Sequence, residues 1–186
     1  DNVMEIKDAI FGRRSVRKYL PRAVEREKLE AVLRAGSYAP SAMNNMSRQF
    51  VAITKPELLA ALNKAVEKTA DEGLVKHIKS RSETGEFDFF YKAPVLIAVC
   101  DDPEQMRPAE DCAIALENMF LAAYDEGLGT CWINQLTDKS DAPEIHSVLT
   151  AAGMKDGYRV YGCCALGYAA VKPELVKPKT NEIIIC

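Results

Sequence analysis

The run Ala93-Pro94-Val95-Leu96-Ile97-Ala98-Val99-Cys100 is the longest uninterrupted apolar stretch in the 186 residues, and it constrains the fold most. It is far shorter than the roughly 20 residues a membrane-spanning helix needs. Its branched side chains read as a buried strand from Pro94 to Cys100. Residues 109–126 then read as a long helix. Its Cys112, Ala113, Leu116, Met119, Phe120, Ala123 and Tyr124 cover an arc too wide for one packing face, so the helix is expected to be buried on several sides. Strands and helices alternate around these two elements, so residues 1–186 read as one α+β or α/β layered domain around one sheet.

The remaining elements follow from periodicity and punctuation. Residues 3–12 read as a helix with Val3, Ile6, Ala9 and Ile10 on one face, ending at Gly12. Residues 25–35 read as a second helix with Leu29, Val32 and Leu33 inward, closed by Gly36 and Pro40. A polar loop, 40–47, leads into a strand, Phe50–Thr54. Pro56 opens a helix to about Thr69 that carries Leu58, Leu59, Leu62 and Val66. Residues 70–92 are charged and irregular and read as a lid or helical excursion. Thr130–Leu136 reads as extended, 143–152 as a short helix and 158–166 as a strand. The arm 172–186 ends in strand-like Ile183-Ile184-Ile185, a sticky edge unless it packs on its own domain or joins a partner's sheet.

A net charge of −3 gives no global reason to expect nucleic acid. The charge is nevertheless uneven. Arg13, Arg14, Arg17 and Lys18 cluster after the first helix, and Lys172, Lys177 and Lys179 lie near the C-terminus. Such clusters suit a small anion or a solvated surface. The six cysteines include no C-x-x-C pair and sit in apolar surroundings, as expected of buried thiols in a reducing cytoplasm. In a strand, Cys163 and Cys164 point to opposite faces, which favours core filling over a redox pair. His77 and His146 stand near no cysteine at zinc-ligand spacing. The charged residues Asp1, Glu5, Lys7 and Asp8 argue against a signal peptide.

Gly127-Leu128-Gly129-Thr130-Cys131-Trp132 lacks the third glycine of a dinucleotide fingerprint and follows a helix instead of a strand, so it reads as a helix C-cap. No catalytic triad is legible, since Ser41 lies in no G-x-S-x-G motif. Asp101, Asp102 and Glu104 read as a solvated strand-to-helix loop.

The segments that remain are Arg13-Arg14-Ser15-Val16-Arg17-Lys18-Tyr19, Ala39-Pro40-Ser41-Ala42-Met43-Asn44, Gly127 to Ile133, Ala165-Leu166-Gly167-Tyr168 and the basic tail. In this order the chain resembles the nitroreductase family, FMN-dependent flavoproteins that use NAD(P)H. The resemblance runs from about residue 5 to the C-terminus. It implies an α+β fold with a central mixed, mostly antiparallel sheet flanked by helices, in a domain-swapped homodimer with FMN sites at the interface.

The resemblance also implies a set of cofactor-binding residues. Arg13, Arg14 and Ser15 match the family's first phosphate-binding segment, where guanidinium forks and a hydroxyl suit phosphate oxygens. Arg17 matches the cation facing the flavin pyrimidine, and Lys177 and Lys179 match C-terminal phosphate ligands. Pro40, Ser41, Ala42 and Asn44 match a loop that reaches the other subunit's flavin. An amide at Asn44 can both donate to and accept from ribityl hydroxyls. Trp132, Ile133 and Asn134 match the stretch beside the flavin. Met46 and Arg48 depart from the family's Asn-x-Gln-Pro-Trp continuation, and Gln135 stands where glycine is common. These departures bear more on substrate than on cofactor.

The implied activity is hydride transfer from NADH or NADPH through flavin N5 to nitroaromatics, quinones or similar electron-poor acceptors, by a ping-pong mechanism. No side chain is assigned as catalytic acid or base, and no metal is called for. The alternatives are an FMN-binding protein without NAD(P)H turnover, a specialised flavin enzyme of the same family, and a thiol-redox protein working through Cys163-Cys164. No nucleic-acid or membrane partner is expected.

Overall fold

The computed structural model describes residues 4–175 and 177–186. Val3, placed above on the first helix, and Val176 of the C-terminal arm lie outside the described residues. The elements in chain order are α1 (Ile6–Gly12), α2 (Arg26–Ser37), β1 (Gln49–Ile53), α3 (Pro56–Thr69), α4 (Glu72–Arg81), β2 (Val95–Asp101), α5 (Pro108–Asp125), β3 (Gly129–Ile133), α6 (Pro143–Ala151) and β4 (Arg159–Gly167). A short 3₁₀ turn, Ala42–Asn44, interrupts the loop before β1.

The four strands form one sheet in the order β1-β2-β4-β3, with every pairing antiparallel. The only parallel contact recorded among the described residues is a single bridge between Ser15 and Thr130, so the mixed character expected of the sheet is confined to its edge. The apolar run becomes β2, second in the sheet and buried along its whole length. Side chains alternate across a strand. Leu96, Ala98 and Cys100 therefore join one core with Leu62 and Val66 of α3, Ile78 of α4 and Leu149 of α6. Val95, Ile97 and Val99 join the other, with Val32 of α2 and Leu116, Met119 and Phe120 of α5. Cys163 and Cys164 fall into these two separate cores, as their alternation in a strand requires. None of the helices described is long and apolar enough to cross a membrane.

Helix α5 ends as its glycines suggest. Gly127 takes φ +74, and the N–H groups of Gly127 and Leu128 donate to the carbonyls of Tyr124 and Ala123 at 3.1 and 2.8 Å. This closure aims the chain directly into β3.

Four local expectations change. Ile6 and Ile10 of α1 do not face the core: they are 69 % and 49 % exposed, and Ala9 alone on that helix is buried. The extended stretch stops at Ile133, because residues 135–141 are turns. Asp101 is fully buried at the end of β2, not solvated with its neighbours. Ile183, Ile184 and Ile185 form no strand and do not pack on their own domain; each is at least 74 % exposed. Residues 70–92 contain α4 and return to the core through Phe87, Phe89 and Phe90, all buried.

Candidate flavin-binding site

The basic segment after α1 runs extended along the β3–β4 edge. The Val16 N–H donates to the Thr130 carbonyl and the Leu20 N–H to that of Tyr168, both at 2.8 Å. Tyr19 donates its hydroxyl to the Val16 carbonyl at 2.8 Å, and burial pushes that phenol well above its ordinary pKa, so it stays a donor. Val16 anchors the segment, being 4 % exposed. It packs so close to Gly129 that a Cβ there would lie 2.5 Å from a Val16 methyl. Gly129 therefore carries no side chain for a steric reason, independent of any phosphate motif.

With Val16 turned inward, Ser15 and Arg17 project to the other side. Both lie near enough to act on Cys131 of β3. Burial pushes the Cys131 thiol up, and the positive charges of Arg17, Arg81 and Arg13, with a hydrogen bond from Ser15, oppose that shift. The basic segment thus runs alongside β3, bridged to it at Ser15 and Thr130. It is joined there by Arg81 from the end of α4, a residue absent from the sequence-based site.

Two cavities open along this segment. The larger, of about 370 Å³, is lined by Arg13, Arg14 and Lys172, with backbone from Gly127, Gly129 and Thr130. The smaller, of about 140 Å³, is lined by Arg17, Lys18, Arg81 and Lys92 around Ile78 and Tyr91. Arg14 spends part of its fork on α1, donating to the carbonyls of Phe11 and Arg13 at 2.8 and 2.6 Å. Arg13 lies 3.9 Å from Glu117 and 6.0 Å from the centre of the Phe120 ring. Lys177 and Lys179 are exposed and line neither cavity, whereas Lys172 does.

The 40–48 loop is braced from within. Arg48 donates to the carbonyls of Ala39 and Asp111 at 2.6 Å and of Pro40 at 3.0 Å. The Met46 N–H donates to Ser41 Oγ at 3.1 Å. Met43, Asn44 and Met46 all take positive φ, between 50° and 54°, a left-handed conformation that non-glycine residues adopt at a cost of about 1–3 kcal/mol each. Met43 and Met46 point outward, 86 % and 68 % exposed, and Asn44 is exposed as well. Pro40, Ser41, Ala42, Asn44 and Met46 line neither basic cavity.

At the end of β3, the side chain of Ile133 is buried in the core, and Trp132 is 39 % exposed with its ring edge-on to Phe120 at 6.4 Å. Asn134 Oδ1 accepts from Trp132 Nε1 at 3.4 Å and from Thr137 Oγ1 at 3.0 Å. Arg81 and Asp111 carried no local sequence signal, and Lys172 read as part of a basic group but not as a member of the site. Each acts through distant chain brought near by the fold.

Residues 10–168 match the model of the nitroreductase family. The chain is 39 % identical to a nitroreductase of Bacteroides fragilis solved with bound FMN, at a TM-score of 0.85, with 98 % of this chain and 99 % of that one covered. A BluB-like flavoprotein of Clostridium difficile is 27 % identical at a TM-score of 0.73, covering 96 % and 95 % of the two chains. An Archaeoglobus fulgidus protein, provisionally named an NADH dehydrogenase/NAD(P)H nitroreductase, is 28 % identical over 165 residues, 86 % of this chain and 82 % of its own.

Proposed function

The chain belongs to the nitroreductase family, and from that premise we propose that it is an FMN-dependent oxidoreductase that draws electrons from NADH or NADPH and reduces small electron-poor acceptors such as nitroaromatics and quinones. The observation that carries the reading is the cavity of about 370 Å³ lined by Arg13, Arg14 and Lys172, beside a basic segment that is bonded to β3 through Val16 and Thr130.

That donor set fits the group. A phosphate calls for several cationic groups around a pocket of ligand size, and the larger cavity offers Arg13, Arg14 and Lys172. When bound, FMN supplies a two-electron relay between a reduced nicotinamide and an acceptor. The chain's own contribution is binding and electrostatics. Arg13, Arg14 and Lys172 hold the phosphate end, and Lys177 and Lys179 add positive charge from the exposed arm. Arg17 places a permanent positive charge where negative charge develops on reduction, which favours the reduced cofactor. Trp132 and Asn134 offer side chains beside it, and Ile133, whose side chain is in the core, offers only its backbone. No side chain of the site is needed as a catalytic acid or base.

The loop Pro40-Ser41-Ala42-x-Asn44 with Met46 serves the flavin of a second subunit, so the working unit is a homodimer. Its exposure, and its absence from both basic cavities of its own chain, support that assignment. So does the apolar surface left open by Ile6, Ile10, Phe11, Met43 and Ile185. The cysteine pair takes no part: burial holds the Cys163 and Cys164 thiols far above the range in which thiolates form at neutral pH.

An absorbance spectrum from 300 to 550 nm tests the reading. A flavin band that bleaches within seconds of adding anaerobic NADH or NADPH is the expected result. A band that persists with both nucleotides identifies a flavin carrier or an enzyme with another donor. Failure to hold or take up FMN overturns the proposal.

A further inference from the structure

We propose that the smaller cavity, between the basic segment and the end of α4, is an anion subsite that anchors the carboxylate or phosphate group of a substrate, with Arg81 as its main contact. The proposal rests on the flavin-enzyme reading of the neighbouring site, because Arg17 belongs to both.

The charges are not balanced. Arg17, Lys18, Arg81 and Lys92 line the cavity together with Glu83 and Asp88. Lys18 is paired with Glu83, and Lys92 with Glu86 at 3.2 Å. Asp88 keeps one oxygen on the backbone, its Oδ1 accepting from the N–H groups of Phe90 and Lys92 at 3.0 Å, which leaves one carboxylate edge in the lining against two guanidinium groups. Among the described residues, neither Arg17 nor Arg81 takes part in an ion pair. Two guanidinium groups thus face one small space, neither of them in an ion pair.

Arg81 is also oriented. Its Nη1 donates to the Tyr91 hydroxyl at 2.9 Å, and the guanidinium carbon lies 5.1 Å from the centre of the Tyr91 ring. Tyr91 and Lys92 hold φ of +60° and +53°, a strained pair of non-glycine residues pinned by the Asp88 contact to Lys92. The turn therefore sets Tyr91 under Arg81. A guanidinium has five N–H donors in a fixed fork, so the single contact to Tyr91 leaves a bidentate edge for an anion.

Size selects a group, not a whole ligand. About 140 Å³ is well below the roughly 300–1,000 Å³ of sites that enclose complete small molecules. It suits one carboxylate or phosphate whose parent molecule extends toward Arg17 and the cofactor. Two sources share that chemistry: an acidic acceptor, and the 2′-phosphate of a dinucleotide donor.

The test is calorimetric titration of the purified protein with its FMN, using two matched pairs: 4-nitrobenzoate against its methyl ester, and NADP⁺ against NAD⁺. The wild-type protein is expected to bind the more anionic member of one pair at least about tenfold more tightly, as a charge-assisted bidentate contact allows. The first pair identifies an acidic acceptor and the second a 2′-phosphate. Arg81→Met, which keeps length and loses charge, should bring that preference within about twofold, by weakening the more anionic member and not the less charged one. Arg81→Lys should keep part of the preference. Equal affinities within both pairs overturn the proposal, as does an Arg81→Met loss that falls equally on both members. A flavin that neither nucleotide bleaches removes the reductase reading alone, because the titration needs no turnover.

Discussion

Both carboxylate oxygens of Asp111, in the first turn of α5, accept the backbone N–H of Ala42 at 3.1 Å across 69 residues of sequence. Asp111 is 4 % exposed, so this contact works in a largely dry environment, and Arg48 grips the Asp111 carbonyl at 2.6 Å from the other side of the loop. The Pro40–Met46 loop thereby takes its shape from α5 and Arg48. That tether offsets the cost of three left-handed residues in a row of four.

Arg48→Met is expected to loosen this loop without emptying the core. Three backbone carbonyls lose a charged donor, a change of about 1–3 kcal/mol in loop order. FMN affinity, read by flavin fluorescence on titration into apoprotein, should fall about tenfold, with a smaller drop in melting temperature. Unchanged affinity would mean the loop serves packing and never reaches a cofactor.

Lys172 shares its cavity with Arg13 and Arg14, whereas Lys177 and Lys179 stand away from it. Lys172→Ala should therefore weaken FMN binding about tenfold. Arg13→Ala with Lys172→Ala should leave the protein colourless at micromolar concentration. Lys177→Ala and Lys179→Ala separately should each cost less than Lys172→Ala, because they line neither cavity and act at longer range through screened solvent. Stoichiometric FMN in the double variant would end the phosphate assignment.

Gly129→Ala probes the strut under the whole basic segment. The added methyl would meet Val16 at 2.5 Å, and Val16 is held by its backbone bond to Thr130, so the segment itself must shift. Overpacking of this kind costs about 1–3 kcal/mol. The expected result is lower stability in urea together with loss of FMN. Compensation by Val16→Ala in the same chain would tie both effects to this one contact.

The strands and helices were legible because alternation and helical period are local: β2, α3 and α5 lie within a residue or two of where their apolar patterns place them. Amphipathicity does not say which surface an apolar face meets, and that is why Ile6 and Ile10 looked like core and are exposed. The basic segment was legible as a cluster of like charges. Its partners were legible only in part: Lys172 read as one of a second basic group but not as lining the same cavity, and Arg81 comes from 64 residues beyond Arg17 (81 − 17). Asp101 shows the same limit from the other side. Among Asp102 and Glu104 it reads as solvated, but the final register step of β2 against β4 carries it inside, where one carboxylate oxygen is unpartnered.

Tyr168 donates its hydroxyl to Glu25 Oε2 at 2.6 Å, tying the end of β4 to the start of α2. That bond, with the Glu25 backbone N–H and Arg22, lowers the Glu25 pKa from 4.5 to about 2. A carboxylate depressed in the folded state contributes stability above its unfolded pKa and loses it as pH falls toward the folded value. Tyr168→Phe keeps the ring under Arg22, 3.9 Å from the guanidinium, and removes only the hydroxyl. The variant should melt about 1–3 °C below the wild type at any pH from 5 to 8, a modest shift because the pair is solvent-exposed. Between pH 4.5 and 2 the difference should shrink as Glu25 becomes protonated in both proteins. A difference that stays constant down to pH 3 would show that the hydroxyl acts through packing and not through the Glu25 charge.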